Sequence, residues 1–468
     1  MIALTVEQLA DVVGGDLAGA ADPYAVIDDV VIDSRRARPG SLFVALPGEH
    51  TDGHHFAADA AARGATAVLV AEGRDLDPDV PAVVVDDPAD ALLGLGRWVR
   101  ETVDPTVVAV TGSSGKTTTK DLIAAAVGAG RAVVASAGSY NNDLGVPLTC
   151  CRLTLGSEVL VAEVGARGLG HVARLAALLE PDIGVVTTIV GAHLELFGDV
   201  ATVAQAKGEL VEALDAEGLA VLNADDPRVA ALAGRTHARV VTYGVHADAD
   251  WRAQDVRVDA LARPTFTVRG LEVTVPLPGE HNVGNALAAL AVADAVGVPL
   301  EAAARALATA AVSRWRMEVV HTRDGVTVLN DAYNANPASV GAALRTLAQV
   351  DTGGRRWAVL GTMAELGRAS VEEHDRIGRL AIRLGVDGLV VVGPEARPIR
   401  NAADLEGFYG QGDLYMVDRA EDVAGVLSGR LRTGDVVLVK ASRAVGLERA
   451  ADDLVAASGG PVPGDPGP

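Results

Sequence analysis

Apolar positions along this chain fall into short continuous runs separated by Ala-rich stretches of helical period. SLFVAL (41–46), TAVLVA (66–71) and PAVVVD (81–86) come first, followed by TVVAV (106–110), EVLVAEV (158–164), DIGVVTTIV (182–190), LAVLNAD (219–225) and ARVVTYG (238–244). Continuous apolar strands alternating with helices predict parallel sheets covered on both faces. Residues 251–276 break the texture: they alternate apolar and polar, as antiparallel strands do, with a turn at Arg269 and Gly270. A helix is expected after PGEHN, running through ALAALAVADAVG. From about residue 314 the parallel texture returns with VTVLND, RRWAVLG, VDGLVVVG and DVVLVKAS, each followed by a helix.

The breaks give three segments, 1–104, 105–313 and 314–457, and a tail, 458–468, whose SGGPVPGDPGP composition predicts disorder. At the start, MIALTVEQLADVVGGDL has neither a basic flank nor a continuous apolar stretch, and it reads as a short strand and an amphipathic helix. No apolar run approaches the roughly 18 residues of a membrane span. The formal charge of -22, from 40 basic and 62 acidic residues, argues against nucleic acid as a surface partner. Cys150 and Cys151 are adjacent, a spacing that suits neither a metal site nor a disulfide framework. A cytoplasmic protein without membrane insertion is expected, and a monomer.

Chemistry concentrates in VVAVTGSSGKTTTKD (107–121). The usual phosphate-loop template is G-x-x-x-x-G-K-[ST], and here Val110 stands where its first glycine belongs. What a phosphate cradle needs is still present: a strand that stops, small residues that turn N–H groups inward, a lysine, and a helix start aimed at the anion. Thr111, Gly112, Ser113, Ser114, Gly115, Lys116 and Thr117 supply it, with the Thr117 hydroxyl suited to Mg²⁺ and Thr118 assisting at the phosphates.

Glu163 ends an apolar strand and His193 follows another, so a parallel sheet would bring both to its carboxyl edge, where ligands bind in such folds. Taken singly, each also fits a cap or core-edge position. Lys207, in AKGEL, reads as an ordinary solvated helix lysine. His281, Asn282 and Asn285 lie at a helix start, where amides often cap. Asp52, Gly53 and His54 belong to a polar loop, as do Ser34, Arg35 and Gly48.

The T-G-x-x-G-K-T-T form of the loop resembles that of the Mur ligase superfamily. The same resemblance runs through SYNNDLGVPLT (139–149), EVGARGLGHV (163–172), TTIVGAHLELFGD (187–199), GEHNVGNALAA (279–289), RWRMEV (314–319), NDAYNANPASVGAAL (330–344), VLGTMAELG (359–367) and VLVKASRAVGLE (437–448). It implies an α/β protein of three domains: a central parallel-sheet P-loop ATPase domain, an α/β domain for the UDP-sugar, and a Rossmann-like C-terminal domain for the incoming amine. Within the superfamily, SYNNDLGVPLT and YNANP resemble the branch that adds D-alanyl-D-alanine, whereas the branch adding the third amino acid carries a D-N-P-R type sequence.

The resemblance also implies roles. Lys116 and Arg316, with Arg314 as the alternative in RWR, would neutralise transferring phosphate, and Asp331 would reach ATP from the last domain. Thr117, Glu163 and His193 would hold Mg²⁺, and Lys207, carbamylated as in related ligases, would hold a second ion. His281, Asn282 and Asn285 would face the adenine. Ser34, Arg35, Gly48, Asp52, Gly53 and His54 would bind the uridine nucleotide, while Asn141, Asn142, Tyr333, Asn334 and Asn336 would serve the peptide substrates. Asn330, Ala332, Thr362 and Ala441 depart from the usual family residues.

The activity so implied is ATP-dependent ligation of D-alanyl-D-alanine to UDP-N-acetylmuramoyl-tripeptide through an acyl phosphate, a step of peptidoglycan precursor synthesis. Because Arg316 and Asp331 lie outside the loop's segment, closure of the last domain is expected to complete the site. The alternatives are another Mur-type or folylpolyglutamate-like ligase, or a non-catalytic nucleotide-binding regulator.

Overall fold

The computed structural model describes residues 1–48, 51–75, 77–191, 194–408 and 413–462. Its largest sheet is the one expected from the apolar runs. Across it the order is Trp251–Arg252, Arg239–Gly244, Leu219–Asn223, Ile183–Val186, Thr106–Thr111, Val159–Glu163 and Val133–Ala135, all parallel. Thr106–Thr111 therefore has later strands on both sides, and the chain reverses its direction of winding around it. Such a switch point opens a crevice at the carboxyl ends of the strands.

Both faces of this sheet are covered. On one, Val108, Val110, Val161 and Val185 pack with the helices Lys116–Gly128 and His281–Ala295. The second of these is apolar nearly all round, consistent with its burial between the sheet and its neighbours. On the other face, Ala109, Leu160 and Val186 share one core with the helix Pro88–Val103 of the first segment. That junction is tight: a Cβ on Gly96 would lie 2.7 Å from the Pro147 Cβ. The antiparallel insert is a three-stranded sheet, Gln254–Val258, Pro264–Val268 and Leu271–Thr274. Its turn has Arg269 at φ 49° and Gly270 at φ 79°, the paired positive angles that suit a two-residue hairpin loop.

A second, six-stranded sheet runs Glu318–His321, Thr327–Asn330, Val436–Lys440, Arg356–Gly361, Gly388–Val392 and Asp413–Val417, with only the first pair antiparallel. The first segment has its own five-stranded sheet, in which Ser41–Val44, Ala67–Ala71 and Pro81–Val85 are parallel neighbours. The N-terminal strand Leu4–Thr5 leads directly into the helix Val6–Val13, closed by a Thr5–Gln8 capping box.

Three expectations are corrected. DIGVVTTIV is a strand only to Val186; residues 187–190 leave the ladder and wrap the phosphate loop. The helix expected after PGEHN already starts at His281. The tail is not free from 458: Arg323 N–H donates to Gly460 O and Val462 N–H to His321 O, at 2.9 Å each, so 458–462 are tied to the six-stranded sheet. Residues 463–468 lie outside the described residues.

Candidate functional site

Two glycines let the chain leave Thr106–Thr111 and enter the helix Lys116–Gly128. Gly112 has φ 151°, and a Cβ on it would stand 1.9 Å from Thr187 Oγ1. Gly115 has φ 83° and caps the helix without any side-chain hydrogen bond. The N–H groups of Lys116, Thr117 and Thr118 therefore have no carbonyl one turn earlier to bond, and they leave a helix start open to an anion.

The rest of the loop is braced rather than open. Ser113 N–H donates to Thr188 O (2.7 Å), and Ser114 N–H to Thr188 Oγ1 (3.1 Å). Thr111 Oγ1 donates to Val164 O (2.9 Å) inside the core, and Ser113 Oγ donates to Val190 O (3.0 Å). Of the expected loop residues, 113 to 118 line the cavity above the helix start, and Thr111 and Gly112 do not. The residues after Val186 supply the partners of Ser113 and Ser114, and Val164 supplies that of Thr111, so these upstream polar groups are satisfied within the protein.

A cavity of about 400 Å³ opens over the helix start, lined by Ser113–Thr118 together with Glu163, Lys207, Asn282, Arg316, Asp331 and Tyr333. Lys116 Nζ donates back to Gly112 O at 2.9 Å. Burial pushes its ammonium below the usual lysine range, Glu163 opposes that shift and Arg316 adds to it. Lys207, in the helix Val200–Glu212, is 3 % exposed, and its amine is driven well down by burial and then by the charge of Lys116. The solvated-lysine reading of Lys207 is thereby overturned.

Glu163 is 1 % exposed; Oε1 accepts from Asn141 Nδ2 at 2.7 Å, and Oε2 is buried with no partner. A buried anionic oxygen left open is costly unless something cationic fills the space beside it. His193 lies outside the described residues.

The opposite wall comes from the last segment. Arg316 sits between Trp315 at φ 61° and Met317 at φ 55°, two strained non-glycine positions of the kind that cluster at functional sites. Its Nη2 donates to Thr117 Oγ1 at 3.0 Å, and its guanidinium lies 4.0 Å from the centre of the Tyr333 ring. The structure thus has the last segment closed onto the loop. Arg314 instead lies near Glu318 (3.9 Å) and is largely exposed.

Asp331 is engaged: Oδ2 accepts from Lys440 Nζ at 2.6 Å and Oδ1 from Met317 N–H at 3.2 Å. Tyr333 OH meets Ser139 Oγ across the two segments. Asn336 caps the helix Pro337–Gln349 through Ser339 N–H (2.9 Å), and its Nδ2 reaches Ser113 O at 3.5 Å. Asn334 Oδ1 accepts from Ala335 N–H, and Asn142 Oδ1 from Gly145 N–H; both hold local turns.

His281 and Asn285 line the first cavity and also a second, of about 450 Å³, that runs past Thr188, Asn223, Asp225 and Tyr243. Asn285 and Asn282 form a buried relay: Thr119 Oγ1 donates to Asn285 Oδ1, Asn285 Nδ2 to Asn282 Oδ1, and Asn282 Nδ2 to Pro278 O. The family departures are packing positions: Ala332 and Ala441 are fully buried, Thr362 is 9 % exposed, and Asn330 Oδ1 accepts from Ala332 N–H.

None of the first-segment candidates lines either cavity. Arg35 is bound bidentately to Asp33 at 2.9 and 2.8 Å. Ser34 is buried, and a Cβ on Gly48 or Gly53 would crowd the Thr51 or Leu46 carbonyl at 2.8 or 2.6 Å. His54 corrects the sequence reading most. Its Nδ1 donates to Asp52 Oδ1 (2.6 Å), and its Nε2 accepts from Ala71 N–H (3.0 Å), so both ring nitrogens hold the fold. Asp52 Oδ2 also pairs with Arg74 at 2.9 Å.

Sequence reasoning missed Lys440, Arg167, Ser139 and Glu365, all of which line the main cavity. Lys440 ends an apolar strand, a position that signalled only a strand end. Cys150 and Cys151 are buried and free, as expected of small core residues; burial pushes the Cys150 thiol up to about 12.

A helix start open to an anion, approached by a guanidinium from a second unit, suits nucleotide-dependent phosphoryl transfer. Comparison with known proteins narrows the class. Three family descriptions match: the Mur ligase middle domain over 110–293, the Mur ligase glutamate ligase domain over 315–443, and the Mur ligase family catalytic domain over 26–92. The chain belongs to the Mur ligase family.

A Mycobacterium tuberculosis protein named UDP-N-acetylmuramoyl-tripeptide--D-alanyl-D-alanine ligase is 45 % identical over 97 % of this chain and 98 % of its own. An Acinetobacter baumannii structure named UDP-N-acetylmuramoylalanyl-D-glutamyl-2,6-diaminopimelate--D-alanyl-D-alanyl ligase is 30 % identical. It superposes with a TM-score of 0.83 over 97 % of this chain and 98 % of its own. A Thermotoga maritima MurF ligase in complex with ADP, 30 % identical, has a TM-score of 0.78 over 91 % and 96 %.

Proposed function

We propose that this protein joins D-alanyl-D-alanine to UDP-N-acetylmuramoyl-tripeptide at the expense of ATP, in peptidoglycan precursor synthesis. The observation that carries the reading is the Arg316 Nη2 to Thr117 Oγ1 contact of 3.0 Å, which brings a guanidinium from the last segment onto the uncapped helix start. The names of the full-length relatives supply the substrates, and the ADP bound to the T. maritima ligase supplies the nucleotide.

A carboxylate is a poor electrophile because its oxygen is a poor leaving group. In this reading, one tripeptide carboxylate oxygen attacks the γ-phosphorus of ATP, the bond to the β-phosphate oxygen breaks, and ADP leaves. The dipeptide amine then attacks the acyl carbon, loses a proton and expels phosphate. Lys116 and the N–H groups of Lys116, Thr117 and Thr118 hold the transferring charge, and Arg316 spreads its donors over the same oxygens. Tyr333 and Asn336 bring the last segment against the loop, excluding water from the reactive acyl group.

Glu163 Oε2 and Thr117 Oγ1 fit a divalent cation, the first being a buried acceptor without a partner and the second a cavity-lining hydroxyl. Bound there, Mg²⁺ would offset phosphate charge. Lys207 suits carbamylation for a second ion, because addition of CO₂ needs an unprotonated amine and burial favours that form. The second cavity, with His281 and Asn285 at its edge, is assigned to the nucleoside. The first-segment candidates are assigned to shaping the uridine-nucleotide loop. Substrates of this kind place the protein in the cytoplasm, and we assign a monomer; no helix among the described residues is long and apolar enough to cross a membrane.

The test is phosphate release with ATP, Mg²⁺ and UDP-muramoyl-tripeptide, with and without D-alanyl-D-alanine, with the product followed by mass. A pentapeptide mass that requires every component is expected. Its absence with both diaminopimelate- and lysine-containing acceptors would overturn the assignment.

A further inference from the structure

The geometry points to Arg167 as the residue that takes a non-reacting carboxylate of the acceptor peptide. This rests on the proposed reaction and adds a specificity determinant to it.

The nucleoside cavity lies over Leu219–Asn223 and Arg239–Gly244, on one side of the phosphate-loop strand. Arg167 follows Val159–Glu163, on the other side. A nucleotide whose phosphates sit on the helix start thus has Arg167 beyond its terminal phosphate, where the acceptor must enter.

Charge narrows the role further. Lys116 is folded back on Gly112 O, Arg316 is bonded to Thr117 at the helix start, Lys440 is paired with Asp331, and Lys207 is buried in the helix Val200–Glu212. Arg167 lines the same cavity, is exposed, and makes no side-chain hydrogen bond or ion pair with any described residue.

Its backbone is held in place nonetheless. Arg167 N–H donates to His171 Nδ1 at 3.1 Å, which leaves the ring proton on Nε2 to donate to Asp143 Oδ2 at 3.0 Å. Gly165 N–H is bonded to Asn141 O at 2.8 Å. A fixed backbone carrying an unpaired guanidinium into a polar cavity suits bidentate recognition of a carboxylate.

The acceptor has such groups to offer. A D-glutamyl residue linked through one carboxyl keeps the other, and diaminopimelate carries one carboxylate more than the reaction uses. Acceptors lacking one or the other carboxylate distinguish these two sources.

Equilibrium binding of UDP-muramoyl-tripeptide, without ATP, is compared for wild type, Arg167→Gln and Arg167→Lys, and steady-state kinetics are run alongside. Arg167→Gln is expected to weaken acceptor binding and raise acceptor KM by about 10- to 100-fold, as for a lost charge-assisted pair. The ATP KM and the melting temperature should be unchanged, and Arg167→Lys should recover part of the loss. An acceptor with the glutamyl carboxylate as carboxamide, and one with lysine for diaminopimelate, identify the source. Wild type should fall to the Arg167→Gln level with the one that lacks the carboxylate, while the variant is indifferent to the change.

Acceptor binding within about twofold of wild type in Arg167→Gln would overturn the proposal. So would a change confined to ATP KM or kcat, or equal losses in wild type and variant with both modified acceptors. Tight wild-type binding without a pentapeptide product would overturn the proposed reaction instead, leaving Arg167 to be judged on the binding ratio.

Discussion

Two polar loops of this protein suggested ligand binding from sequence, and the structure treats them oppositely. Around Lys116 the polar groups are left open: a helix start with no side-chain cap, and a buried Glu163 oxygen with no partner. Around Asp52 they are consumed internally: His54 bridges Asp52 and Ala71, Arg74 pairs with Asp52, and upstream Arg35 closes on Asp33. Polar composition alone does not separate the two. The difference lies in whether the fold leaves donors and acceptors unsatisfied, which a protein tolerates only where a ligand or solvent completes them.

That contrast can be broken most directly at Lys116. Lys116→Met is expected to lower kcat by about 10³-fold, the scale of losing one preorganised charge contact in the transition state. Urea unfolding should show stability preserved, because the substitution removes a charge that burial disfavours. A large stability loss with modest kinetic change would make the loop a structural element like its counterpart at Asp52.

Lys440→Met comes next. The Lys440–Asp331 pair is almost fully enclosed on the lysine side, at 2 % exposure, and removing one partner of such a pair costs about 3 kcal/mol in unfolding free energy. An unchanged unfolding midpoint would show that this wall of the site does not depend on the pair. Arg316→Ala should lower kcat by about 10²-fold with little effect on the ATP KM, since its donors are proposed to matter most as charge moves to the transferring group. An increase in ATP KM alone would instead mark ground-state binding.

The smallest effects belong to Asp52→Asn, which should leave kcat nearly unchanged. Its hydrogen bond from His54, the largest cause, with help from Arg74, holds the Asp52 carboxyl down from 3.8 to about 2. A carboxyl lowered on folding contributes stability above its unfolded pKa, and that contribution fades as pH falls through the folded value. Wild type should therefore lose stability between about pH 4 and pH 2 in a way that Asp52→Asn does not. Equal acid sensitivity in urea titrations at the two pH values would show that the self-satisfied loop is not held by this carboxylate.

Most of the architecture was legible because a strand buried on both faces must be apolar throughout. Val107–Val110, Leu160–Ala162 and Val436–Val439 announce themselves that way. Asp16–Gly19 and Asp413–Val417 were missed because they are edge strands with mixed faces and carry no such run. In the site, Lys116 and Gly115 were legible from local geometry, since a glycine turn before a helix is a contiguous requirement. Lys440 and Arg167 were not, since a lysine closing an apolar strand and an arginine in a glycine loop look alike whether they meet a ligand or solvent.

The sequence by itself determined where the buried strands and most of the helices lie, the glycine turn that exposes a helix start, and the family to which the chain belongs. Those depend on neighbours in the chain and on burial patterns that repeat at fixed periods. Only the tertiary structure decided that Thr188 closes the Ser113 and Ser114 amides, that Arg316 meets Thr117 across 199 positions, and that His54 serves the fold. The physical reason is that satisfaction of a polar group is a property of whatever lies within about 3 Å of it, and in a folded chain that neighbour comes from any distance along the sequence.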